Sequence, residues 1–264
     1  MGAKAPFFGL DFLRCFMTLQ EFFNLNNKFA VAFSGGVDSS YLLYAAKKAG
    51  CDVRAYFIKS PFQPEFELED AKKIAELTGA PLTICELDVL SIPEIANNPP
   101  DRCYTCKRAI MAKILSLAEK DGYPAVCDGA NADDAEDDRP GMRAARELGI
   151  LSPLRDCGLT KAEIRRLSKD AGLFTHEKPS YACLATRIPT GREITPGLLT
   201  KTERAEQKLF EIGFSGFRVR LLGNGAKLEL PAELFPLAVS KRAEILDILS
   251  DDYEFVYLDL KERC

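Results

Sequence analysis

The stretch FAVAFSGGVDSS, Phe29 to Ser40, runs from five apolar residues straight into two glycines, an aspartate and three serines. A short, wholly apolar run suits a strand covered on both faces. The polar, glycine-bearing turn after it packs poorly but suits an anion. Glycines let backbone N–H groups approach closely, and a helix start adds unpaired donors and partial positive charge. Ser34, Ser39 and Ser40 add hydroxyl donors without bulk, and Asp38 can hold a magnesium ion that bridges phosphates. Two better-known phosphate loops do not fit. The Walker pattern ends in Gly-Lys-Ser/Thr, and no lysine lies within Ser34–Ser40. The dinucleotide fingerprint needs three spaced glycines, whereas Gly35 and Gly36 are adjacent.

Outward from this loop, strand and helix signals alternate. Strands are predicted at Phe29–Phe33, Val53–Ile58, Leu82–Leu87 and Ala125–Asp128. Helices are predicted at Ser39–Lys48, Pro64–Leu77, Cys106–Glu119 and Gly141–Leu148. Thr160 to Glu163 forms a capping box that opens a helix to Ala171. This alternation predicts an α/β fold with a Rossmann-like parallel sheet, whose ligands bind beyond the carboxyl ends of the strands. From Lys178 the character changes. Pro179, Pro189, Gly191 and Pro196 mark a linker over residues 179–196. Beyond it lie a helix at Gly197–Ile212, strands near Phe217–Leu222 and Lys227–Leu230, a helix from Ala232 to Leu249 and a strand at Glu254–Leu258, which together predict a smaller α+β domain.

A net charge of -4 gives no general basic surface for long nucleic acid, so a small substrate is favoured. Residues 1–16 carry Asp11 and Arg14 within their apolar stretch and lack a cleavage-site pattern, and no apolar run is long enough to span a bilayer. A cytoplasmic protein with reduced thiols is expected, and nine cysteines, an odd number, argue against a disulfide framework. Cys85 and Cys127 fall in strand runs and read as core thiols, while Cys51 and Cys157 sit beside glycines in turns. Cys103 and Cys106 form a Cys-x-x-Cys pair, which can be a redox dithiol, half a zinc site or part of an iron–sulfur site. The only histidine is His176 and no second such pair exists, which counts against zinc. The segment Asp128 to Asp134 (DGANADD) follows the fourth strand. Its acidic and amide side chains, among them Asp128, Asn131 and Asp133, can ligate magnesium and orient a nucleotide.

The loop Ser34–Ser40, Val37 included, closely resembles the pyrophosphatase (PP) loop of the N-type ATP pyrophosphatases. That resemblance implies cleavage of ATP between the α and β phosphates, with adenylate passed to an acceptor oxygen. Further motifs narrow it: NPPDRCYTCKR, DGANADD, DDRPGMRAARELGI, SPL, GLTKAEIR, KPSYACLATRIPTG and FRVR. From about Leu19 to Leu260 the chain resembles the LarE family of ATP-dependent sulfur transferases, which act in synthesis of the nickel-pincer nucleotide cofactor. Residues 1–18 then read as an extension, 19–178 as the PP-loop domain, 179–196 as a linker carrying Cys183, and 197–264 as a substrate-binding and oligomerisation domain. The resemblance implies a pyridinium-3,5-biscarboxylic acid mononucleotide substrate, magnesium, acyl adenylate formation and displacement of AMP by sulfur. It implies two possible sulfur sources. Cys183 can be consumed, leaving dehydroalanine, or Cys103, Cys106 and Cys183 can hold a 4Fe-4S cluster; three such cysteines favour the cluster. It gives no sulfide donor. Arg218 and Arg220 match an Arg-x-Arg strand suited to the substrate phosphate, with Arg187 a third candidate by nearness to Cys183. Glu206 and Glu229 match acidic residues grouped near the family's substrate site, which makes them candidate metal ligands by resemblance. The resemblance implies a homo-oligomer, a hexamer being what the family suggests. Leu221-Leu222 stand where the family often has His-His, Thr190 replaces a common aromatic, and the tail reads Lys261-Glu262-Arg263-Cys264. These departures bear on substrate and subunit contacts, not on the nucleotide loop. Two other readings stay open: an adenylating thiolase or amide synthetase acting on another carboxylate or a tRNA base, and a non-catalytic nucleotide- and cluster-binding sensor.

Overall fold

The computed structural model describes residues 17–134 and 140–263. The expected extension at 1–18 therefore lies largely outside the described residues, as do Cys15, Cys264 and the acidic run at 136–138. In chain order the elements are α1 (Leu19–Leu25), β1 (Lys28–Ala32), α2 (Val37–Lys48), β2 (Asp52–Lys59), α3 (Glu65–Thr78), β3 (Leu82–Glu86), α4 (Pro93–Ala96) and α5 (Arg102–Lys120). They continue with β4 (Val126–Cys127), α6 (Pro140–Glu147), α7 (Pro153–Asp156), α8 (Lys161–Asp170), α9 (Pro196–Glu211), β5 (Arg218–Leu222), β6 (Gly225–Glu229), α10 (Phe235–Ser240), α11 (Arg242–Ser250) and β7 (Val256–Leu258).

One sheet has the order β3-β2-β1-β4, with β1 parallel to both β2 and β4. Chain order thus moves outward from β1 to β3, then returns to the other side of β1 for β4. That reversal makes a crevice at the carboxyl ends of β1 and β4, where ligands of such sheets bind. Phe29, Ala30 and Val31 are fully buried, as their apolar run predicts. Phe23 of α1 stacks on Phe29 with ring centroids 6.1 Å apart, and α1 itself is opened by a Thr18–Glu21 capping box. Burying each such large side chain contributes about 1.5–3 kcal/mol. A second sheet has the order β5-β6-β7, antiparallel then parallel, over its own apolar core that includes Leu209, Phe217, Val219 and Leu228.

The chain divides into two compact units. The first takes residues up to 58, 67–85 and 107–178; the second takes 59–66, 86–106 and 179 onward. One break of this division falls after Lys178, and residues 59–66 and 86–106 go with the C-terminal part. Among the described residues no helix is long and apolar enough to cross a membrane.

Three sequence expectations are corrected. Helix α5 starts at Arg102, not Cys106, so the cysteine pair lies within the helix, Cys103 in its first turn and Cys106 at the start of its second. Pro99 and Pro100 shape a turn whose carbonyls receive the Arg102 and Tyr104 amides through Pro99 and Asp101, and that turn leads directly into the helix. Helix α2 starts at Val37, not Ser39, so half the phosphate loop is a helix terminus. The helix expected from Ala232 to Leu249 is broken into a 3-10 turn, α10 and α11, with Lys241 leaving helical geometry at ψ 19°.

Candidate functional site: a phosphate loop and a cysteine–arginine cluster

In the first unit the anion site is built almost entirely from backbone. Gly36 is the N-cap of α2 and supplies no side-chain cap, so the amides of the first helical turn point outward without a helical partner. The loop is held from within. Gly36 N donates to Ser34 Oγ at 3.4 Å, Ser39 Oγ donates to the Gly36 carbonyl at 3.3 Å, and the Ser34 and Ser39 hydroxyls are 3.2 Å apart. Gly35 adopts φ +70°, and a Cβ there would meet the Glu67 carbonyl oxygen of α3 at 3.0 Å. Val37 is buried and anchors the turn in the core. The Ser40 hydroxyl, expected to face phosphate, is fully buried with no hydrogen-bond partner among the described residues.

The DGANADD segment packs on this loop. A Cβ at Gly129 would lie 2.8 Å from the Ser39 amide nitrogen, so only glycine allows this approach. Asp128 is buried and accepts from Ala130 N and Ser152 Oγ. Asn131 Nδ2 donates to Asp38 Oδ1 at 3.4 Å. Asp133 accepts the Lys161 backbone amide at 2.7 Å, which fixes the start of α8. From there the Lys161 ammonium reaches Asp38 Oδ2 at 2.5 Å. Lys178 Nζ lies 2.8 Å from Asp70 Oδ2 and 3.4 Å from the Gly35 carbonyl.

In the second unit Cys183 caps a 3-10 turn, Leu184–Arg187. Arg102 donates through Nη1 to Cys183 Sγ at 3.7 Å, and through Nε to Asn98 Oδ1 at 3.2 Å. Asn98 is buried, holds φ 51°, and donates to the Ile188 and Pro189 carbonyls. The residue that begins α5, next to Cys103, is therefore tied to the segment bearing Cys183. Cys103 is exposed, Cys106 buried and Cys183 half-buried.

Around the same turn lie four arginines. Arg187 is 1% exposed and forks onto Glu206, Nε to Oε1 at 2.7 Å and Nη2 to Oε2 at 3.0 Å. Burial works against its charge, but the hydrogen bonds and field of Glu206 outweigh it and hold the guanidinium's pKa above its ordinary value. Glu206 also accepts from Tyr181 Oη and Val219 N. Arg220 Nε donates to Glu229 at 2.6 Å, and Lys227 holds the other Glu229 oxygen at 2.9 Å. Arg218 differs. Its Nε is buried with no partner among the described residues, and its pKa is pushed down to about 10 by burial and then by Arg263, Arg187 and Arg220. Arg263 Nε is likewise buried without a partner, while its other nitrogens donate to the Gly216 and Ser180 carbonyls.

The family model described as thiamine biosynthesis protein (ThiI) matches residues 26–194. The chain is 38% identical over 216 residues to an uncharacterized protein of Synechocystis sp., covering 81% of each chain. It is 33% identical over 233 residues to the pyridinium-3,5-bisthiocarboxylic acid mononucleotide synthase of Lactiplantibacillus plantarum, covering 87% of this chain and 84% of that one. This chain belongs to the LarE family. The tRNA-specific 2-thiouridylase MnmA of Pseudothermotoga lettingae is 30% identical over 201 residues, 62% of this chain and 57% of that enzyme. The LarE-family chain is thus an ATP-dependent sulfur transferase with the PP-loop fold anticipated from Phe29–Ser40.

Within this LarE-family chain the structure gives each expected site residue its partners. It draws Ser34, Gly35, Gly36, Asp38, Ser39, Asp128, Asn131 and Asp133 together. Arg218 and Arg220 share a face of β5, whose inward residues are Val219 and Leu221. Arg187, expected on substrate phosphate, instead has its guanidinium engaged by Glu206, the Ala182 carbonyl and Thr186 Oγ1. Glu206 and Glu229, expected as metal ligands, have arginine and lysine as counter-charges. Sequence reading missed Asn98, Arg102, Lys161, Lys178 and Arg263. Asn98 and Arg102 stood within a quoted motif, NPPDRC, yet nothing local said what they touch. Burial pushes up the pKa of Cys51 and Cys127, and that of Cys157 to about 11, which disfavours their thiolates.

Proposed function

We propose that this enzyme adenylates the carboxylates of pyridinium-3,5-biscarboxylic acid mononucleotide and replaces the activated oxygen with sulfur at Cys183. The Arg102–Cys183 contact carries this reading. It ties the first turn of the helix bearing Cys103 and Cys106 to the third cysteine. The name of the Lactiplantibacillus relative supplies the substrate class.

A substrate carboxylate oxygen attacks the α phosphorus of ATP, and pyrophosphate leaves. The outward amides of the first turn of α2 and the Ser34 and Ser39 hydroxyls cradle the departing phosphates. Asp38 suits a magnesium ion, which takes one or two carboxylates and completes its shell with phosphate oxygens and water. Sulfur then attacks the acyl carbon and AMP departs with the electron pair of the broken C–O bond. The substrate's phosphate sits on Arg218, Arg220 and Arg263. Two buried, unpaired guanidinium nitrogens and a depressed Arg218 pKa describe excess positive charge that a phosphate dianion relieves.

Among the described residues no three His, Cys, Asp or Glu side chains gather as ligands for a single ion. A four-iron cube spaces its thiolates farther apart than one ion does. The chemistry of three thiols, Cys103 and Cys106 on the first two turns of α5 and Cys183 before the Leu184–Arg187 turn, is that of such a donor set. When bound, such a cluster supplies an exchangeable sulfide through the iron that lacks a protein ligand. Protein purified and reconstituted without oxygen should be brown, with iron and sulfide that are lost in Cys103→Ser, Cys106→Ser and Cys183→Ser. Colourless, iron-free protein overturns the cluster. Loss of the elements of hydrogen sulfide from Cys183 after turnover then marks that residue as consumed.

A further inference from the structure

Two buried arginines of the second unit differ in their counter-charge. Arg187 is 1% exposed and forks onto a carboxylate, Glu206. Arg102 is 7% exposed, and among the described residues its side-chain hydrogen-bond partners are Asn98 Oδ1 and Cys183 Sγ. A guanidinium is always charged, and a buried charge without a counter-charge is costly. Of the two partners only the sulfur can carry negative charge. On the reading that sulfur transfer takes place at Cys183, we propose that Arg102 is a positioning residue for it: the guanidinium is the counter-charge of an anionic Cys183 sulfur, and Asn98 fixes where the guanidinium sits.

The guanidinium is held on three sides. Its Nε donates to Asn98 Oδ1 at 3.2 Å, its Nη1 donates to Cys183 Sγ at 3.7 Å, and its central carbon lies over the Phe62 ring, 5.6 Å from the centroid. The same neighbours also fix the segment that bears the sulfur. The Phe62 carbonyl accepts the Leu184 amide at 2.9 Å, which places the residue after Cys183. Asn98 Nδ2 donates to the Ile188 and Pro189 carbonyls, and the Asn98 carbonyl accepts the Gly191 amide at 2.8 Å. Asn98 is itself buried at φ 51°, a left-handed conformation that asparagine tolerates better than most residues. Cation and sulfur are therefore located by one pair of residues, Phe62 and Asn98. A thiolate that is consumed and a thiolate that ligates iron both carry the sulfur as an anion, so Arg102 has the same role in either case. A guanidinium N–H supplies direction as well as charge, and a sulfur that must meet one acyl carbon needs both.

The test pairs a chemical probe with turnover, both on the full chain. Iodoacetate and iodoacetamide differ in charge and both alkylate the thiolate, so the ratio of their rates at one pH reports the local field and not the thiolate fraction. Mass spectrometry of iron-free protein reads that ratio at Cys183, with the half-buried Cys85 of β3 as reference. Arg102→Met should lower the iodoacetate-to-iodoacetamide ratio at Cys183 by about fivefold or more and leave it unchanged at Cys85. Arg102→Lys, which keeps the charge, should bring the ratio back to within about twofold of wild type. In turnover, Arg102→Met should form thiolated product about a hundredfold more slowly, with first-turnover pyrophosphate release within about twofold of wild type. Asn98→Ala keeps the Arg102 charge but removes its anchor, and should slow product formation about tenfold. An unchanged ratio in Arg102→Met, or a ratio in Arg102→Lys as low as in Arg102→Met, overturns the proposal. Product formed at the wild-type rate by Arg102→Met or Asn98→Ala also overturns it. So does a loss of pyrophosphate release as large as the loss of product, which marks a role in folding only. Thiolated product formed at the wild-type rate by Cys183→Ala removes the reading beneath it.

Discussion

In the first unit, the groups proposed to bind phosphate lie mostly on consecutive residues, Ser34 to Ser39, and are largely backbone groups. In the second unit, the groups around Cys183 come from Asn98, Arg102, Arg187, Glu206, Arg218, Arg220, Glu229 and Arg263, and they act through side-chain charge. A backbone site is sensitive to Cβ atoms and φ angles. A side-chain site is sensitive to unbalanced charge. The two should therefore fail in different ways, and that difference can be measured.

The sharpest separation is chemical. Cys183→Ala should reduce thiolated product to background, a loss of about a thousandfold or more, while Mg·ATP affinity stays within about twofold. A parallel loss of ATP binding would mean that the two functions are not separable as drawn. Next in size is the buried ion pair. Glu206→Gln leaves the Arg187 guanidinium buried with weakened compensation and should cost the second unit about 3–5 kcal/mol. At about 2–4 °C per kcal/mol this is a readily measured drop in Tm, and an unchanged melting curve would contradict the pairing. The backbone counterpart is Gly35→Ala. With φ +70° and a carbonyl oxygen 3.0 Å from the new Cβ, it should cost about 1–3 kcal/mol and reduce ATP affinity by about tenfold. Normal nucleotide affinity in a stable Gly35→Ala protein would show that the close approach to α3 is not needed.

The smallest effect is a pH dependence confined to the charged face of the second sheet. Burial alone would raise the Glu229 pKa, but hydrogen bonds from Arg220 and Lys227 outweigh it and hold the carboxyl below its ordinary value of 4.5. Its contribution is then full above about pH 4.5 and is lost as pH falls through the lower folded value, because the unfolded chain takes up the proton first. Chemical denaturation from pH 5.5 to 3.5 should show a shallower acid loss in Glu229→Gln than in wild type. Identical slopes would remove Glu229 from the pH-sensitive network.

Legibility followed the same division. The β1 strand, the phosphate turn and the Thr160–Glu163 cap were readable because each is specified within a few residues. The cap appears as read, with both reciprocal hydrogen bonds. The start of α5 was placed at Cys106, whereas the turn at Pro99-Pro100 delivers the chain into the helix at Arg102. The break at Lys241 was missed because apolar spacing continues across it. Arg187 was assigned to substrate by its nearness to Cys183, but sequence distance says nothing about Glu206 on α9. Lys161 and Lys178 stand in the quoted segments GLTKAEIR and KPSYACLATRIPTG, but their partners Asp38 and Asp70 are far away in sequence.

Local chain chemistry was enough to give the parallel sheet and the position of the phosphate turn at its carboxyl edge. These follow from apolar runs and glycine placement, whose physical consequences are local. Only the tertiary structure decided which charges meet: Arg187 with Glu206, Lys161 with Asp38, Arg102 with Cys183. Such pairs join residues 19, 123 and 81 positions apart. Their Coulombic and hydrogen-bond energies exist only once packing has brought the side chains within a few ångströms and removed the water between them.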